Sequence, residues 1–331
     1  MDALPLAVSL DFLTATGFWI SVLVLAGIYG LVALGLQLNV GFTGIVNFGA
    51  AGFMAIGAYA MAIITVETDL SFWVSLPLSM LITVAFGLLI GLPVLRLRGD
   101  YLAIVTIAAA EVIRLVAQNA RDLTNGNEGL TCAEDDFSKC YDNNWLDISD
   151  TIEGWLMDLG WSDPETLAPL FFVVWVTVIL VTVGLAFVQR TPWGRVLRAV
   201  REDEDAARAL GKNAFAYKLQ SLGISAAIGA VAGWFLALDL ATIHPFDYEP
   251  LVTFFAFAVL VLGGLANYWG VMVGAVLFWT IVEGTRFIDI GLDEVDLAAV
   301  RFAIAGLILI LVMVFRPQGI FGKREEMVLG E

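Results

Sequence analysis

The chain has 331 residues, of which 60% are hydrophobic and only 15% are charged. Its mean hydropathy is +0.86 and its net charge is −16. Soluble globular chains carry about 45–50% apolar and about 25% charged residues, so a soluble enzyme, a disordered chain and a nucleic-acid binder are excluded. The composition predicts an all-α, polytopic membrane protein surrounded by lipid.

Apolar runs fall at about 17–38, 44–65, 72–95, 101–119, 168–188, 219–240, 251–266, 270–286 and 299–315. A spanning helix needs roughly 20 apolar residues, so these runs predict nine spans, within a range of eight to ten. The seventh and eighth runs are short and nearly continuous, which suggests a re-entrant pair. The first run is preceded by Asp2 and Asp11 rather than by basic residues, which argues against a cleaved signal peptide.

Short-loop Lys and Arg set orientation. Arg96 and Arg98 follow the third run, seven basic residues from Arg190 to Lys218 lie between the fifth and sixth, and Arg316, Lys323 and Arg324 follow the ninth. Alternating sides through nine spans places all of these in the cytoplasm. The N-terminus is then outside and the C-terminus inside. The same topology puts the acidic 120–167 stretch outside, as an insertion in a single 1–331 membrane domain. Either hydration of the outer surface or a docking face for a partner explains its acidity. Cys132 and Cys140 lie in this stretch. An oxidising outer compartment permits a disulfide between them; two free thiols are the alternative. With one histidine, His244, and only these two cysteines, the composition argues against a zinc or iron centre.

The second run is dense in glycine: Gly41, Gly44, Gly49, Gly52 and Gly57. Such density allows close backbone approach and helix breaks. Thr43 and Asn47 are then polar groups beside a possible break. They serve either tight packing or a discontinuous helix that lines a path. Gly87/Gly91, Gly229/Gly233 and Gly270/Gly274 read as packing pairs.

The fourth run carries Glu111, Arg114 and Gln118 on one helical face. Charge inside a membrane is costly and marks a pair or a pathway. The two readings are a self-neutralising Glu111–Arg114 pair and a polar wall for a zwitterion or small amide.

Within the 189–217 loop, Pro192 suits a helix start and Gly211 a helix stop. Val196, Leu197, Val200, Ala207 and Leu210 form one apolar face. This predicts one amphipathic cytoplasmic helix over 192–211, lying on lipid or seated in a groove of a cytoplasmic partner. There is no G-x-x-x-x-G-K-[ST], no H-E-x-x-H and no G-x-S-x-G, so neither a P-loop nor a familiar catalytic motif is present.

Glu204-Asp205-Ala206-Ala207 followed by Gly211 resembles the coupling-helix motif of ABC importer permeases. The wider chain resembles the branched-chain amino acid permease family, LivM type. The matching pieces run in order: Gly41-x-Thr-Gly with Gly57-Ala-Tyr, Tyr101-Leu-Ala with Glu111-x-x-Arg114, Thr191-Pro-Trp-Gly-Arg195, Val261-Leu-Gly-Gly-Leu with Trp269-Gly, and Phe315-Arg-Pro-Gln-Gly319. The resemblance implies a bacterial or archaeal inner-membrane importer. Its other parts would be a second homologous permease, two cytoplasmic ATP-binding subunits and an extracytoplasmic substrate-binding protein. ATP and Mg would sit on the partners, with no cofactor on this chain. Arg198, Glu202, Glu204, Ala206, Ala207 and Gly211 would couple to the ATPase. Substrates would be Leu, Ile and Val, with urea or short amides as the sister branch. A passive channel or scaffold is the alternative of another class.

Overall fold

In hydrocarbon every backbone N–H and C=O must be satisfied within the protein, which leaves helix as the default for apolar runs. The computed structural model is accordingly helical. It describes residues 7–8, 15–68, 70–97, 99–131, 143–161, 165–285 and 288–289, and 299–322 in part. Cys132 and Cys140 lie outside the described residues, as do the N-terminal acids and Lys323 and Arg324.

Among the described residues, four helices are long and apolar enough to cross a bilayer. The first is α1 (Thr16–Leu36), which continues without interruption into a π-helix, Gln37–Thr43. The others are α3 (Phe72–Val94), α7 (Ala168–Val188) and α10 (Ala214–Leu240). Burial separates them into two groups. Of their apolar stretches, 78% of Thr16–Thr43 and 89% of α10 are buried in the protein, against 28% of α3 and 22% of α7. An all-round apolar helix is either core or lipid-facing; here α1 and α10 form the centre and α3 and α7 face outward.

Two further helices complete the bundle. α2 (Ala50–Thr68) is shorter in its apolar part, and α4 (Gly99–Asn119) holds Glu111 and Arg114. The predicted 44–65 span therefore starts late, because 44–49 is not helical. α2 and α10 approach backbone to backbone at two glycines. A Cβ on Gly57 would meet the Ala230 backbone, and one on Gly233 the Met54 carbonyl.

The predicted re-entrant pair is α11 (Pro250–Gly263) and α12 (Tyr268–Gly284), bent by 117° at the break between them. Gly264 (φ 106°) and Ala266 (φ 61°) make that turn. Gly263 and Gly270 meet backbone to backbone beneath it. The segment after the last run closes the turn: Ile320 N–H donates to the Leu262 carbonyl at 2.9 Å, and Asn267 Nδ2 to the Phe321 carbonyl at 3.1 Å.

The 120–167 stretch holds α5 (Arg121–Thr124) and a 16-residue helix, α6 (Asn143–Asp158). Two short antiparallel pairs depart from the all-α expectation. β1 (Ala7–Val8) pairs with β4 (Ile288–Asp289). β2 (Leu130–Thr131) pairs with β3 (Thr242–Ile243), tying this stretch to the end of α10.

Candidate functional site

The break after the first long helix is built from residues that satisfy its freed backbone groups. Gly44 takes φ 74° and ends the π-helix. A side chain there would press on Arg201, whose Cγ lies 3.3 Å from the Cβ position. Beyond it, the chain is neither helix nor strand through Gly49, and α2 starts at Ala50. A helix start leaves N–H groups without intrahelical partners. Here Phe48 N–H donates to Thr106 Oγ1 at 3.0 Å, Gly49 N–H to Asn47 Oδ1 at 2.8 Å, and Ala51 N–H to Thr253 Oγ1 at 3.0 Å.

Both polar candidates of this region sit at the break. Thr43 is the last π-helical residue. Its Oγ1 lies 2.9 Å from the Leu38 carbonyl and 2.8 Å from Ser221 Oγ, which donates to Asn39 Oδ1 at 3.0 Å. Asn47 is 1% exposed, and its Nδ2 has no hydrogen-bond partner. It lines a cavity of about 20 Å³ with Gly49, Phe53, Thr106 and Leu222, room for about one water.

The 192–211 segment differs from its prediction. It forms two helices, α8 (Pro192–Glu202) and α9 (Glu204–Ala209), rather than one. Asp203 is extended at φ −153° and caps α9 by accepting from Ala206 N–H at 2.9 Å. An aspartate at this place can cap a new helix as readily as continue an old one. Gly211 (φ 76°) follows α9 as expected of a stop. The predicted apolar face splits. Leu197, Val200 and Ala207 are buried within the chain, Ala207 against Val200 and Ala214, whereas Leu210 is 80% exposed. Glu202 and Ala206 are also exposed. Glu204 pairs with Arg208 at 2.6 Å and with Lys218 of α10 at 2.5 Å.

This helix pair reaches the break directly. Arg201 Nη1 donates to the Gly41 carbonyl inside the π-helix. The Arg198 guanidinium lies 5.5 Å from the centre of the Phe42 ring, and Phe42 stacks on Tyr268 of α12 at 5.0 Å. Nothing in the local sequence signalled Arg201 as a contact to Gly41, since the two are 160 positions apart.

Farther out, Glu111 and Arg114 form a bidentate pair. Arg114 Nε and Nη2 donate to the two carboxylate oxygens at 2.9 and 2.5 Å. Arg114 Nη1 is buried without a partner, and the guanidinium lies 5.9 Å from the centre of the Phe246 ring. Gln118 is half-buried one turn beyond.

The chain is a multi-pass helical membrane protein in which the α8–α9 pair grips a broken, glycine-rich inner segment. The family model described as "Branched-chain amino acid transport system / permease component" matches residues 18–314, and the chain belongs to that family. It is 32% identical over 326 residues to the high-affinity branched-chain amino acid transport system permease protein LivM of Salmonella typhimurium, covering 97% of this chain and 73% of that one. Its identity to LivM of Escherichia coli is 33% over 323 residues, covering 96% and 73%. It is also 25% identical over 313 residues to the permease protein LivH of Salmonella typhimurium, covering 91% and 93%. No solved structure matches the chain.

Proposed function

We propose that this chain is one of two related permease subunits of an ATP-driven importer that carries leucine, isoleucine and valine into the cytoplasm. The observation that carries the reading is the contact of α8 with the π-helix through Arg201 and Arg198. The chain has no P-loop of its own, so the motive force must arrive through a protein surface, and α8–α9 transmits it to the break at 44–49. Two ATP-binding subunits holding ATP and Mg would seat the exposed side of α9, with Leu210, Glu202 and Ala206 at the contact. A substrate-binding protein would dock on the opposite face. The relatives are named for branched-chain amino acids, and the urea or short-amide alternative is not carried forward.

This reading takes the chain as a single membrane domain of nine segments, with the N-terminus outside and the C-terminus in the cytoplasm of a bacterial or archaeal cell. The 120–167 stretch is its outer insertion. The test is labelled leucine uptake by the complex reconstituted with its partners. Uptake that requires ATP and the loaded binding protein supports the proposal. Leucine flux without ATP would make the chain a passive channel.

A further inference from the structure

We propose that Arg114 and Glu111, with Glu249 and the rings of Phe246 and Phe254, form the station where this permease holds the zwitterion of a branched-chain amino acid. The inference rests on the importer reading and names the residues that recognise the cargo.

The first observation is an incomplete ion pair. Glu111 uses both oxygens on Nε and Nη2 of Arg114. That leaves Nη1 with its two N–H groups buried and unpaired. Buried unsatisfied donors are rare in folded proteins, and each calls for an explanation; one on a charged group is costlier still. A purely structural pair would have no reason to keep a guanidinium edge open. A carboxylate is the ligand whose geometry matches that edge.

The second observation is charge balance. Glu249 lies close enough for its charge to act on Arg114. The three groups sum to one negative charge. A bare anion would meet net repulsion there, and a neutral amide would bring no charge to either Nη1 or the carboxylates. A zwitterion fits: its carboxylate takes Nη1, and its ammonium faces Glu111, whose side chain is 33% exposed, and Glu249.

The third observation is apolar surface beside the charges. The Phe246 ring lies under the guanidinium and is itself 52% exposed, and Phe254 is 44% exposed. Phe48 bridges α4 and α11. Its N–H bonds Thr106, and its ring stacks on Phe257 at 4.4 Å and meets Phe254 at 5.5 Å. At 1.5 Å per residue, Arg114 lies about 12 Å along α4 from Thr106. Aromatic rings thus stand both beside the charged pair, at Phe246, and beside the break, at Phe254 and Phe257.

The experiment uses the full reconstituted complex and labelled leucine. Glu111→Gln with Arg114→Gln removes both charges together, so no lone buried charge remains. The double variant is expected to raise KM for leucine uptake at least tenfold, while it still co-purifies with the ATP-binding subunits. An unchanged leucine KM in the double variant overturns the proposal. Should that variant fail to assemble, the exposed Phe246→Ala decides. A KM increase larger for leucine than for alanine supports the station, and equal values for variant and parent overturn it. A parent complex that hydrolyses ATP without moving leucine defeats the importer reading instead, before any variant is made.

Discussion

Arg201, in the last turn of α8, donates through Nη1 to the main-chain carbonyl of Gly41, 160 residues earlier in the chain. A side chain of α8 thereby holds a backbone group three residues before Gly44, where the first long helix stops. Hydrogen bonds from a charged donor contribute about 1.5–3 kcal/mol, enough to fix the position of one element relative to another.

Arg201→Ala removes that grip and leaves the apolar core intact. The complex is expected to assemble, with ATP hydrolysis stimulated by loaded binding protein falling about tenfold. The check is ATPase activity measured beside co-purification of the ATP-binding subunits. Full stimulation in the variant would mean that force reaches the break by another route.

Ala207 and Leu210 separate folding from docking. Ala207 is 3% exposed and packs on Val200 and Ala214. An arginine there buries an unpaired charge, at a cost of several kcal/mol. Ala207→Arg should therefore lower the melting temperature of the isolated permease in detergent. Leu210→Arg should leave it unchanged and weaken capture of the ATP-binding subunit instead. Equal melting temperatures for Ala207→Arg and the parent would contradict the packing.

The sequence was most informative where one physical signal acts locally. The run 168–188 predicted α7 to the residue, because hydropathy alone decides it. The short runs 251–266 and 270–286 similarly announced the bent α11–α12 pair. The 192–211 segment was legible as helical and in its Gly211 stop, but not in its interruption at Asp203. Periodicity survives a break when both halves present apolar residues to the same neighbour. The π-helix was not legible, since Gln37–Thr43 is held by partners from elsewhere in the chain, including Ser221 and Arg201. At the site, the shared face of Glu111 and Arg114 follows from their spacing, whereas the rings of Phe246 and Phe254 arrive from a segment more than a hundred residues later.

Two glycines offer a matched pair of tests. A Cβ at Gly233 would collide with the Met54 carbonyl, whereas one at Gly184 in α7 meets nothing within 4 Å. Overpacking of this kind costs about 1–3 kcal/mol, and an unobstructed helical Gly→Ala change gains about 0.5–1 kcal/mol. Gly233→Ala is expected to lower the melting temperature and Gly184→Ala to hold or raise it. The reverse order would refute the close α2–α10 approach.

Asp247, in the turn between α10 and α11, accepts from His244 N–H at 2.9 Å. Burial pushes its carboxyl above the usual aspartate range, and the His244 hydrogen bond opposes the shift only in part. The folded protein thus binds this proton more tightly than the unfolded chain. The resulting stabilisation is complete below the ordinary value of about 3.9 and is lost as pH rises through the folded value. Asp247→Asn keeps an oxygen for His244 and removes the buried charge. It should be more stable than the parent at pH 7, with the difference closing toward pH 4 in thermal unfolding; a constant difference across that window would speak against the shift.

The near-bare contact of α2 with α10 also says where motion can occur. At Gly57 on Ala230 and at Gly233 on Met54 no side chain separates the two backbones, so neither helix can slide past the other at these points without backbone collision. The two travel as one block. Any cycle between inward and outward openings must then be absorbed by the non-helical residues 44–49 and by the turn between α11 and α12, which serve as the joints of an otherwise stiff linkage.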